Sequence, residues 1–268
     1  MEYKTVQEIL QKMGRFANRN LGQNFLVNQI YASMIIDILN PKEEDSVLEI
    51  GAGIGGLSEI LSLTQSSITL NECDRDFIAY LKSAFPNCQL LEGDILEQDV
   101  SSYNKIVGNL PYYITTPIIK KILSEANRLE TFVFMVQKEV GQKLLAKENN
   151  KDYGPLHILL NYLGNLKYEK EIKPHNFYPR PHVDSAVLSL NLHSNIDHAF
   201  KTFFFKNLSP LFAYNRKTLR NNLKTHRYHK ELTEIFESVG ITLESRPQQI
   251  DSATYIDIFT KLYKKVTI

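Results

Sequence analysis

The stretch SVLEIGAGIGG, residues 46–56, decides the fold of this chain. Its first five residues, SVLEI, are mostly apolar, which is typical of a buried strand. The glycines that follow predict a tight turn, and the turn leads into a helix that we expect to run through about residue 63. A strand, a glycine-rich turn and a helix in this order are typical of the ligand-binding edge of a parallel α/β sheet.

The pattern continues on both sides of this stretch. Helices are predicted at 5–13 and 28–39 before it, and further strands and helices alternate after it. The predicted strands are 67–71, 88–91, 105–108 and 131–136, and the predicted helices are 74–85, 116–126 and 137–147. This alternation predicts a mostly parallel, Rossmann-like α/β sheet with helices on both faces.

The last part of the chain has a different pattern. Strands at 165–172 and 186–192 have no long helix between them, so we expect them to form an antiparallel edge of the sheet. After a polar segment, helices are predicted at 198–207, 209–224, 229–239 and 251–265. We therefore expect an α/β domain over residues 1–193, including a helical segment at 1–40, and a small all-helical domain over 194–268.

Composition limits the class of protein. The chain has 268 residues, of which 43% are hydrophobic, so it is long enough for a substantial core. No apolar run approaches the roughly 18 residues of a membrane span, and no secretory signal is expected. Cys73 and Cys88 form neither a CxxC pair nor a metal-ligand cluster. We expect a cytoplasmic protein with reduced cysteines, no metal and no membrane association.

Positive charge is concentrated in one segment, although the formal net charge is only +1. Residues 198–230 contain no Asp or Glu. The Lys and Arg residues of this segment are Lys201, Lys206, Arg216, Lys217, Arg220, Lys224, Arg227 and Lys230. Such a block favours contact with phosphates, and the alternative is a solvated helical face.

The glycine turn predicts a nucleotide-like ligand. Gly51 and Gly53 allow a ligand to lie against bare backbone, and the following helix N-terminus suits a carboxylate or a phosphate. Glu72 ends the second predicted strand, where an acidic side chain accepts the hydroxyls of a ribose. Gly51, Gly53 and Gly56 also satisfy G-x-G-x-x-G, so a nicotinamide-dependent oxidoreductase is an alternative at this point.

Two further features distinguish the cofactors. Asp94, after the third strand, suits the exocyclic amino group of an adenine. Asn109-Leu110-Pro111-Tyr112 follows the fourth strand, and a dehydrogenase has no known use for this tetrapeptide. S-adenosylmethionine has a ribose, an adenine and a carboxylate but no phosphates, and all three groups find partners here. The sequence therefore predicts S-adenosylmethionine as cofactor.

The tetrapeptide predicts methyl transfer to an amino group. Two acceptors can hold the hydrogens of an exocyclic amine and leave its lone pair free to attack a sulfonium methyl. The side-chain oxygen of Asn109 and a backbone carbonyl of Leu110 or Pro111 are the candidates. Pro111 fixes φ, and Tyr112 can stack on the base. A base inside a duplex cannot reach such a loop, so we expect an unpaired or flipped base.

Longer motifs resemble those of the small-subunit ribosomal RNA adenine dimethyltransferases over nearly the whole chain. They are LGQNFL (21–26), NLPYYITTP (109–117), FMVQKEV (134–140), YGPL (153–156), FYPRPHVDSAV (177–187) and NRKTLRN (215–221). Leu110 favours the small-subunit family over the related macrolide-resistance enzymes, which typically carry Ile there.

The resemblance implies a class I methyltransferase fold and a role for each motif. The implied cofactor contacts are Asn24, Leu26, Gly51, Gly53, Glu72, Asp94 and Asn109. Phe177 is implied to face the target base opposite Tyr112. Arg216, Lys217 and Arg220 are implied to contact RNA.

The resemblance also implies the product and the partner. The product is N6,N6-dimethyladenosine at two adjacent adenosines near the 3′ end of the small-subunit RNA, and the partner is an immature small subunit. A monomer is expected, and a role as an assembly factor that clamps the subunit is a compatible alternative. The chain departs from its relatives at residues 18–20 and 215, which are less basic, and at Tyr113, which is often Asn.

Overall fold

The computed structural model describes residues 3–17, 23–214 and 216–267. The chain divides into two compact units. The first comprises the residues up to Gly141 together with Lys167–Leu192, and the second comprises Gln142–Leu166 and His193–Ile268. The predicted division at residue 193 therefore needs one correction, because 142–166 groups with the second unit.

The first unit contains a seven-stranded sheet in the order β4-β3-β2-β5-β6-β9-β7 and a two-stranded ladder, β1-β8. The strands are β1 (Phe25–Leu26), β2 (Ser46–Ile50), β3 (Ser67–Glu72), β4 (Gln89–Glu92), β5 (Lys105–Asn109), β6 (Thr131–Gln137), β7 (Gly164–Ile172), β8 (Phe177–Tyr178) and β9 (Ser185–Leu192). The helices are α1 (Tyr3–Lys12), α2 (Gln29–Leu39), α3 (Ser58–Leu61), α4 (Arg75–Ala84), α5 (Thr115–Glu125) and α6 (Lys138–Leu144).

Strand directions confirm the predicted sheet. The pairs β2-β3, β3-β4, β2-β5 and β5-β6 are parallel, and β9 is antiparallel to β6. Val47, Leu48 and Val107 are fully buried, as expected for parallel strands covered on both faces. The chain passes from one side of β2 to the other between β4 and β5, so the crevice between the carboxyl ends of β2 and β5 is the switch point where such sheets bind ligands.

The register explains why the polar residues reach that crevice. Ile50 at the end of β2 pairs with Asn71 of β3 and with Gly108 of β5, so Glu72 and Asn109 lie one residue beyond the end of β2. A Cβ at Gly108 would lie 2.8 Å from the Ile50 carbonyl oxygen, so glycine is required for this close approach of two strands.

The second unit is helical apart from the first residues of β7. Its helices are α7 (Pro155–Leu163), α8 (His198–Leu208), α9 (Leu219–Leu223), α10 (His229–Ser238) and α11 (Ser252–Thr267). Aromatic pairs hold them together, among them Tyr162–Phe200, with ring centroids 5.3 Å apart, and Phe204–Phe259, at 5.2 Å. The predicted all-helical C-terminal region is confirmed, and α7 is a helix that the sequence analysis missed.

One predicted helix is wrong. Instead of a helix over 209–224, a short 3-10 helix (Ser209–Phe212) and α9 are separated by turns. The buried side chain of Asn222 accepts the Tyr214 N–H at 3.0 Å and donates to the Thr218 carbonyl at 3.1 Å. These bonds satisfy backbone groups that a continuous helix would use, and they stabilise the break.

Candidate active site

A cavity of about 220 Å³ lies at the carboxyl ends of the parallel strands in the first unit. All seven predicted cofactor contacts line it: Asn24, Leu26, Gly51, Gly53, Glu72, Asp94 and Asn109. Pro111 lines it as well, whereas Leu110, Tyr112 and Phe177 are not among its lining residues. Residues far apart in the chain therefore meet at the edge that the strand pattern predicted.

The glycine loop is built differently from the G-x-G-x-x-G pattern. Gly51, Gly53 and Gly55 have φ of 66°, 59° and 86°, whereas Gly56 is not among the glycines with positive φ. A Cβ at Gly55 would lie 2.4 Å from a ring carbon of Phe85. Gly55 is thus the third glycine that the turn requires. The helix that follows the turn begins at Ser58.

Three N–H groups of this loop donate to other protein groups. Ala52 donates to the Asn71 carbonyl at 2.9 Å, Gly53 donates to Glu72 Oε2 at 2.7 Å, and Gly55 donates to the Ala52 carbonyl at 2.9 Å. A pyrophosphate is held by N–H groups that point at the ligand. This loop therefore disfavours the dinucleotide alternative.

Glu72 is a carboxylate fixed by the backbone. Its Oε1 accepts the N–H groups of Cys73 and Asp74 at 2.8 and 2.9 Å, and Oε2 accepts that of Gly53 at 2.7 Å. A carboxylate has about four acceptor positions, so one remains at Oε2. Two ribose hydroxyls would have to share the carboxylate with the backbone, which refines the predicted role of this residue.

Glu49 is an acid whose position in the site the sequence analysis did not single out. It is 2% exposed, lines the cavity and accepts a 2.6 Å hydrogen bond from the Ser58 hydroxyl. Burial, reinforced by the charge of Glu72 and opposed by the Ser58 bond, raises its pKa to about 8. Glu49 is therefore largely protonated at neutral pH in the absence of a cation.

Asp94 and Tyr113 form another part of the wall. Asp94 Oδ1 accepts the Leu96 N–H at 2.9 Å, so Oδ2 is the oxygen left for a ligand. Tyr113 is 59% exposed, and partial burial followed by its neighbours Cys73 and Asp94 raises its pKa. The sequence analysis had no account of Tyr113, and the structure places it in the cavity wall.

The two cysteines lack the lowered pKa that is typical of a nucleophilic thiol. Burial and the neighbouring Glu72 raise the pKa of Cys73 to about 11, and burial raises the pKa of Cys88. Both thiols are free and stay protonated at neutral pH. Within the described parts of the chain, no group of three or more His, Cys, Asp or Glu side chains is placed to hold a metal ion.

Asn109 is oriented by the loop that carries Asn24. Its side-chain nitrogen donates to the Asn24 backbone carbonyl at 2.8 Å. With the nitrogen engaged in this way, the side-chain oxygen is the end of the amide that remains to accept a hydrogen bond.

The structure distinguishes the two backbone carbonyls that the sequence analysis left open. The Pro111 carbonyl already accepts from the Ile114 N–H at 3.2 Å and from the Thr115 hydroxyl at 3.0 Å. The N–H of Leu110 is anchored to the Met135 carbonyl at 3.0 Å. The carbonyl of Leu110 is therefore the better candidate for a second acceptor.

The two aromatic residues expected to face the base differ in exposure. Tyr112 is half-buried, and its hydroxyl lies 2.9 Å from the Ser185 hydroxyl. Phe177 is completely buried. Its backbone pairs with Leu26 in the β1-β8 ladder, and its ring belongs to a core cluster with Ile172 and Val187. The structure thus places Phe177 in the core, away from the surface that a base can reach.

The residues expected to contact RNA lie in the second unit. Arg216, Lys217 and Arg220 are exposed. Arg220 forms an ion pair with Glu244 at 2.7 Å, whereas no ion pair within the described ranges involves Arg216 or Lys217. Lys201, also part of the basic segment, is only 3% exposed and cannot belong to a basic surface.

Some sequence features lie outside the described residues. They are the less basic positions 18–20, the beginning of the LGQNFL motif at 21–22, and Asn215. Within residues 3–17, 23–214 and 216–267, no helix has both the length and the apolar character needed to cross a membrane.

Three features together define a class I S-adenosylmethionine-dependent methyltransferase. They are the sheet order, the glycine turn at the switch point, and the acids near the carboxyl ends of β2, β3 and β4, namely Glu49, Glu72 and Asp94. A profile of the family described as "Ribosomal RNA adenine dimethylase" matches residues 14–264, and the chain belongs to this family. The resemblance found from the motifs is thereby confirmed.

Relatives and solved structures agree with this assignment. Ribosomal RNA small subunit methyltransferase A of Clostridium botulinum (strain Kyoto / Type A2) is 36% identical, with 96% of both chains covered. The protein of that name from Malacoplasma penetrans (strain HF-2) is 34% identical, covering 92% of this chain and 93% of its own.

Two solved structures share the fold. A dimethyladenosine transferase from Plasmodium falciparum has a TM-score of 0.77 and 23% identity, over 90% of this chain and 98% of its own. The 23S rRNA methyltransferase ErmE has a TM-score of 0.67 and 22% identity, over 89% and 99%. The predicted fold class is confirmed.

Proposed function

We propose that this enzyme transfers methyl groups from S-adenosylmethionine to N6 of two adjacent adenosines near the 3′ end of small-subunit ribosomal RNA, giving N6,N6-dimethyladenosine. One observation supports cofactor binding next to the catalytic loop. The two buried acids Glu49 and Glu72 line a cavity beside Asn109, and no ion pair within the described ranges involves either acid. Family membership and the small-subunit methyltransferases among the relatives support the RNA substrate.

The cavity fits S-adenosylmethionine better than a dinucleotide. S-adenosylmethionine carries a sulfonium and an ammonium group, which suit a cavity lined by unpaired acids, and it has no phosphate to place on the engaged loop N–H groups. Glu72 would bind the ribose, and Asp94 Oδ2 would accept from the adenine amino group. When bound, the cofactor supplies an electrophilic methyl group.

The chain itself supplies acceptors and a stacking surface. Asn109 and the Leu110 carbonyl would accept the two hydrogens of the adenine amino group, so that its lone pair is free. Tyr112 would stack on the base, which contributes roughly 1–3 kcal/mol per base. Since the amino group loses its proton readily once it is cationic, positioning replaces a strong general base.

We propose that the second unit contacts RNA phosphates through Arg216 and Lys217. Arg216→Ala should reduce the slope of log affinity against log salt by about 1. Arg220→Ala is the matched control, because its charge is already paired with Glu244, and it should have a smaller effect. Equal slopes in all three proteins would remove these residues from the RNA interface.

The test of the whole proposal is labelled methyl transfer to unmodified small ribosomal subunits, followed by mass measurement of the modified RNA fragment. The native protein should add two methyl groups to each of two adjacent adenosines. Asn109→Ala should transfer no methyl groups, because it lacks the side-chain acceptor for the adenine amino group. No incorporation by the native protein, or thermal stabilisation by NAD in place of S-adenosylhomocysteine, would overturn the proposal.

The role as an assembly factor is compatible with catalysis. The basic segment 198–230 favours it, since electrostatic contact with an immature subunit does not require the cofactor. A Glu72 variant that loses the cofactor but binds the subunit at low salt would separate the two roles. The monomeric state and the cytoplasmic location stay predictions.

A further inference from the structure

The hydroxyl of Tyr112 is anchored to the edge of the central sheet. Its oxygen lies 2.9 Å from Oγ of Ser185, the first residue of β9. Tyr112 is half-buried, whereas Ser185 is completely buried. The far end of the tyrosine is therefore held inside the protein, while part of the side chain stays accessible.

The start of β9 is a rigid attachment point. Ser185 pairs with Gln137 in the antiparallel β6-β9 ladder, and the next backbone bond runs from the Lys138 N–H to the Asp184 carbonyl at 2.9 Å. Asp184 also forms an ion pair with Lys173 at 2.9 Å. These contacts fix the backbone on both sides of the serine hydroxyl.

Loss of the hydrogen bond between Tyr112 and Ser185 would remove the partner of a half-buried phenol. A buried hydroxyl that loses its partner costs about 1–3 kcal/mol, so without Ser185 the phenol must turn toward water or stay unsatisfied. Burial raises the pKa of Tyr112, and the bond to Ser185 only partly offsets this, so the hydroxyl keeps its proton at neutral pH. Without this bond the hydroxyl no longer has the hydrogen bond to β9 that fixes the orientation of the ring.

We propose that Ser185 is a positioning residue that holds the ring of Tyr112 in the orientation needed to stack on the target adenine. The inference rests on the proposed function, because it assigns to Ser185 a part in binding the base and none in cofactor binding. Ser185 is not among the residues that line the cofactor cavity.

A double-mutant cycle with the full-length protein tests this, with unmodified small subunits as substrate. Ser185→Ala and Tyr112→Phe should each lower kcat/KM by about fivefold to tenfold, because each removes the same hydrogen bond. Adding Ser185→Ala to Tyr112→Phe should cause less than about a twofold further loss. Affinity for S-adenosylhomocysteine should not change in either single variant.

The matched control is Ser189→Ala. Ser189 lies on the same strand, is also completely buried, and donates at 2.5 Å to Glu169 instead of contacting Tyr112. It should leave kcat/KM within about twofold of the native value, even if stability falls. An equal loss in Ser189→Ala would show that disturbing β9 is sufficient and would overturn the inference.

Three further results would overturn the role of Ser185. Additive losses in the cycle would overturn the inference while leaving the proposed function intact. If Ser185→Ala does not fold, Tyr112→Phe still tests the bond, and native kcat/KM in that variant would overturn the inference. Absence of methyl transfer by the native protein would overturn the proposed function, and this inference with it.

Discussion

Two groups of polar side chains, all buried except the half-buried Asn109, lie at opposite ends of the same parallel strands, and β5 contributes to both. Lys105 begins this strand and Asn109 ends it. The amino-end cluster consists of Asp45, Asn104 and Lys105, and the carboxyl-end cluster consists of Glu49, Glu72 and Asn109. Both clusters contain buried carboxyl groups, but the pKa of Asp45 is lowered whereas that of Glu49 is raised.

In the amino-end cluster every partner is internal. Asp45 accepts from Asn104 Nδ2 at 2.6 Å and from the Lys42 N–H at 2.6 Å, and it forms an ion pair with Lys105 at 3.0 Å. Burial by itself would raise the pKa of Asp45, but these hydrogen bonds outweigh it and the net pKa is lowered. The charge is thus stabilised without any ligand.

In the carboxyl-end cluster the acids have hydrogen bonds, and no ion pair among the residues that the structure describes involves Glu49 or Glu72. Glu72 is held by three backbone N–H groups, Glu49 by one hydroxyl, and the pKa of Glu49 rises to about 8. Negative charge here costs free energy until a positive ligand arrives. We therefore expect the amino-end cluster to contribute to stability and the carboxyl-end cluster to contribute to ligand binding.

The largest expected effect is on folding. Lys105→Met would leave Asp45 buried without its cation, and breaking such a pair costs about 3–5 kcal/mol of unfolding free energy. Affinity for S-adenosylhomocysteine should stay within about twofold, since the cluster is at the other end of the strands. Denaturant unfolding and calorimetric titration measure the two quantities.

The control for this variant removes both charges. Asp45→Asn combined with Lys105→Met should recover at least about 1 kcal/mol of the loss, because no buried charge then remains. If Lys105→Met alone costs less than about 1 kcal/mol, the amino-end cluster is not the stabilising one and the comparison fails.

The second prediction concerns pH. Between the ordinary pKa of 4.5 and about 8, the folded protein keeps a proton on Glu49 that the unfolded chain has lost. The contribution of Glu49 to the unfolding free energy therefore falls by about 1.4 kcal/mol per pH unit of rise and levels off above that range. For Asp45 the sign is opposite, because its stabilising contribution is lost as pH falls below 3.8 through its lowered pKa.

Glu49→Gln isolates this contribution. The amide keeps an acceptor for the Ser58 hydroxyl but has no charge to desolvate. The unfolding free energy of the variant relative to the native protein should rise by about 3 kcal/mol over two pH units between pH 4.5 and about 8. If the unfolding free energies of the variant and the native protein change in parallel from pH 5 to pH 8, the pKa of Glu49 is not raised.

Glu72→Gln, unlike Lys105→Met, should lower the affinity for the cofactor. The amide offers one acceptor oxygen where the carboxylate offers two. The variant therefore loses the negative charge and either the bond from Gly53 or the two bonds from Cys73 and Asp74. Affinity for S-adenosylhomocysteine should fall about 10-fold to 100-fold, in line with hydrogen bonds to a charged group. Isothermal titration measures it.

Glu92→Gln is the matched control for Glu72. Glu92 is the register partner of Glu72 on β4, but it is exposed, pairs with Lys82 and does not line the cavity. Its substitution should leave cofactor affinity unchanged. If both variants bind equally, the carboxyl-end cluster does not hold the cofactor through Glu72.

The sequence predicted two members of the carboxyl-end cluster, Glu72 and Asn109, and missed the third, Glu49. Glu72 and Asn109 are the last residues of their strands, and parallel strands bring such ends together. The helix α7 also had a local signal that was missed, since Pro155 follows Gly154 and leucines recur at 156, 159, 160 and 163.

What the sequence did not reveal depends on partners far along the chain. Phe85 decides that Gly55, and not Gly56, is the constrained glycine. Asn222 breaks a helix through bonds to Tyr214 and Thr218, and its polar side chain looks the same in the sequence whether it is buried or solvated. The burial of Phe177 and the bond between Tyr112 and Ser185 depend on strand pairings between distant segments.

The smallest expected effect concerns Tyr113, a neighbour of the carboxyl-end cluster in the cavity wall. Tyr113 lines the cavity beside Asp94, yet it is 59% exposed. Tyr113→Asn, which introduces the residue often found in relatives, removes an aromatic wall and should weaken S-adenosylhomocysteine binding about 2-fold to 10-fold. Tyr113→Phe keeps the ring and should bind within about twofold of the native protein. If Tyr113→Asn binds as tightly as Tyr113→Phe, the ring of Tyr113 does not contribute to cofactor binding.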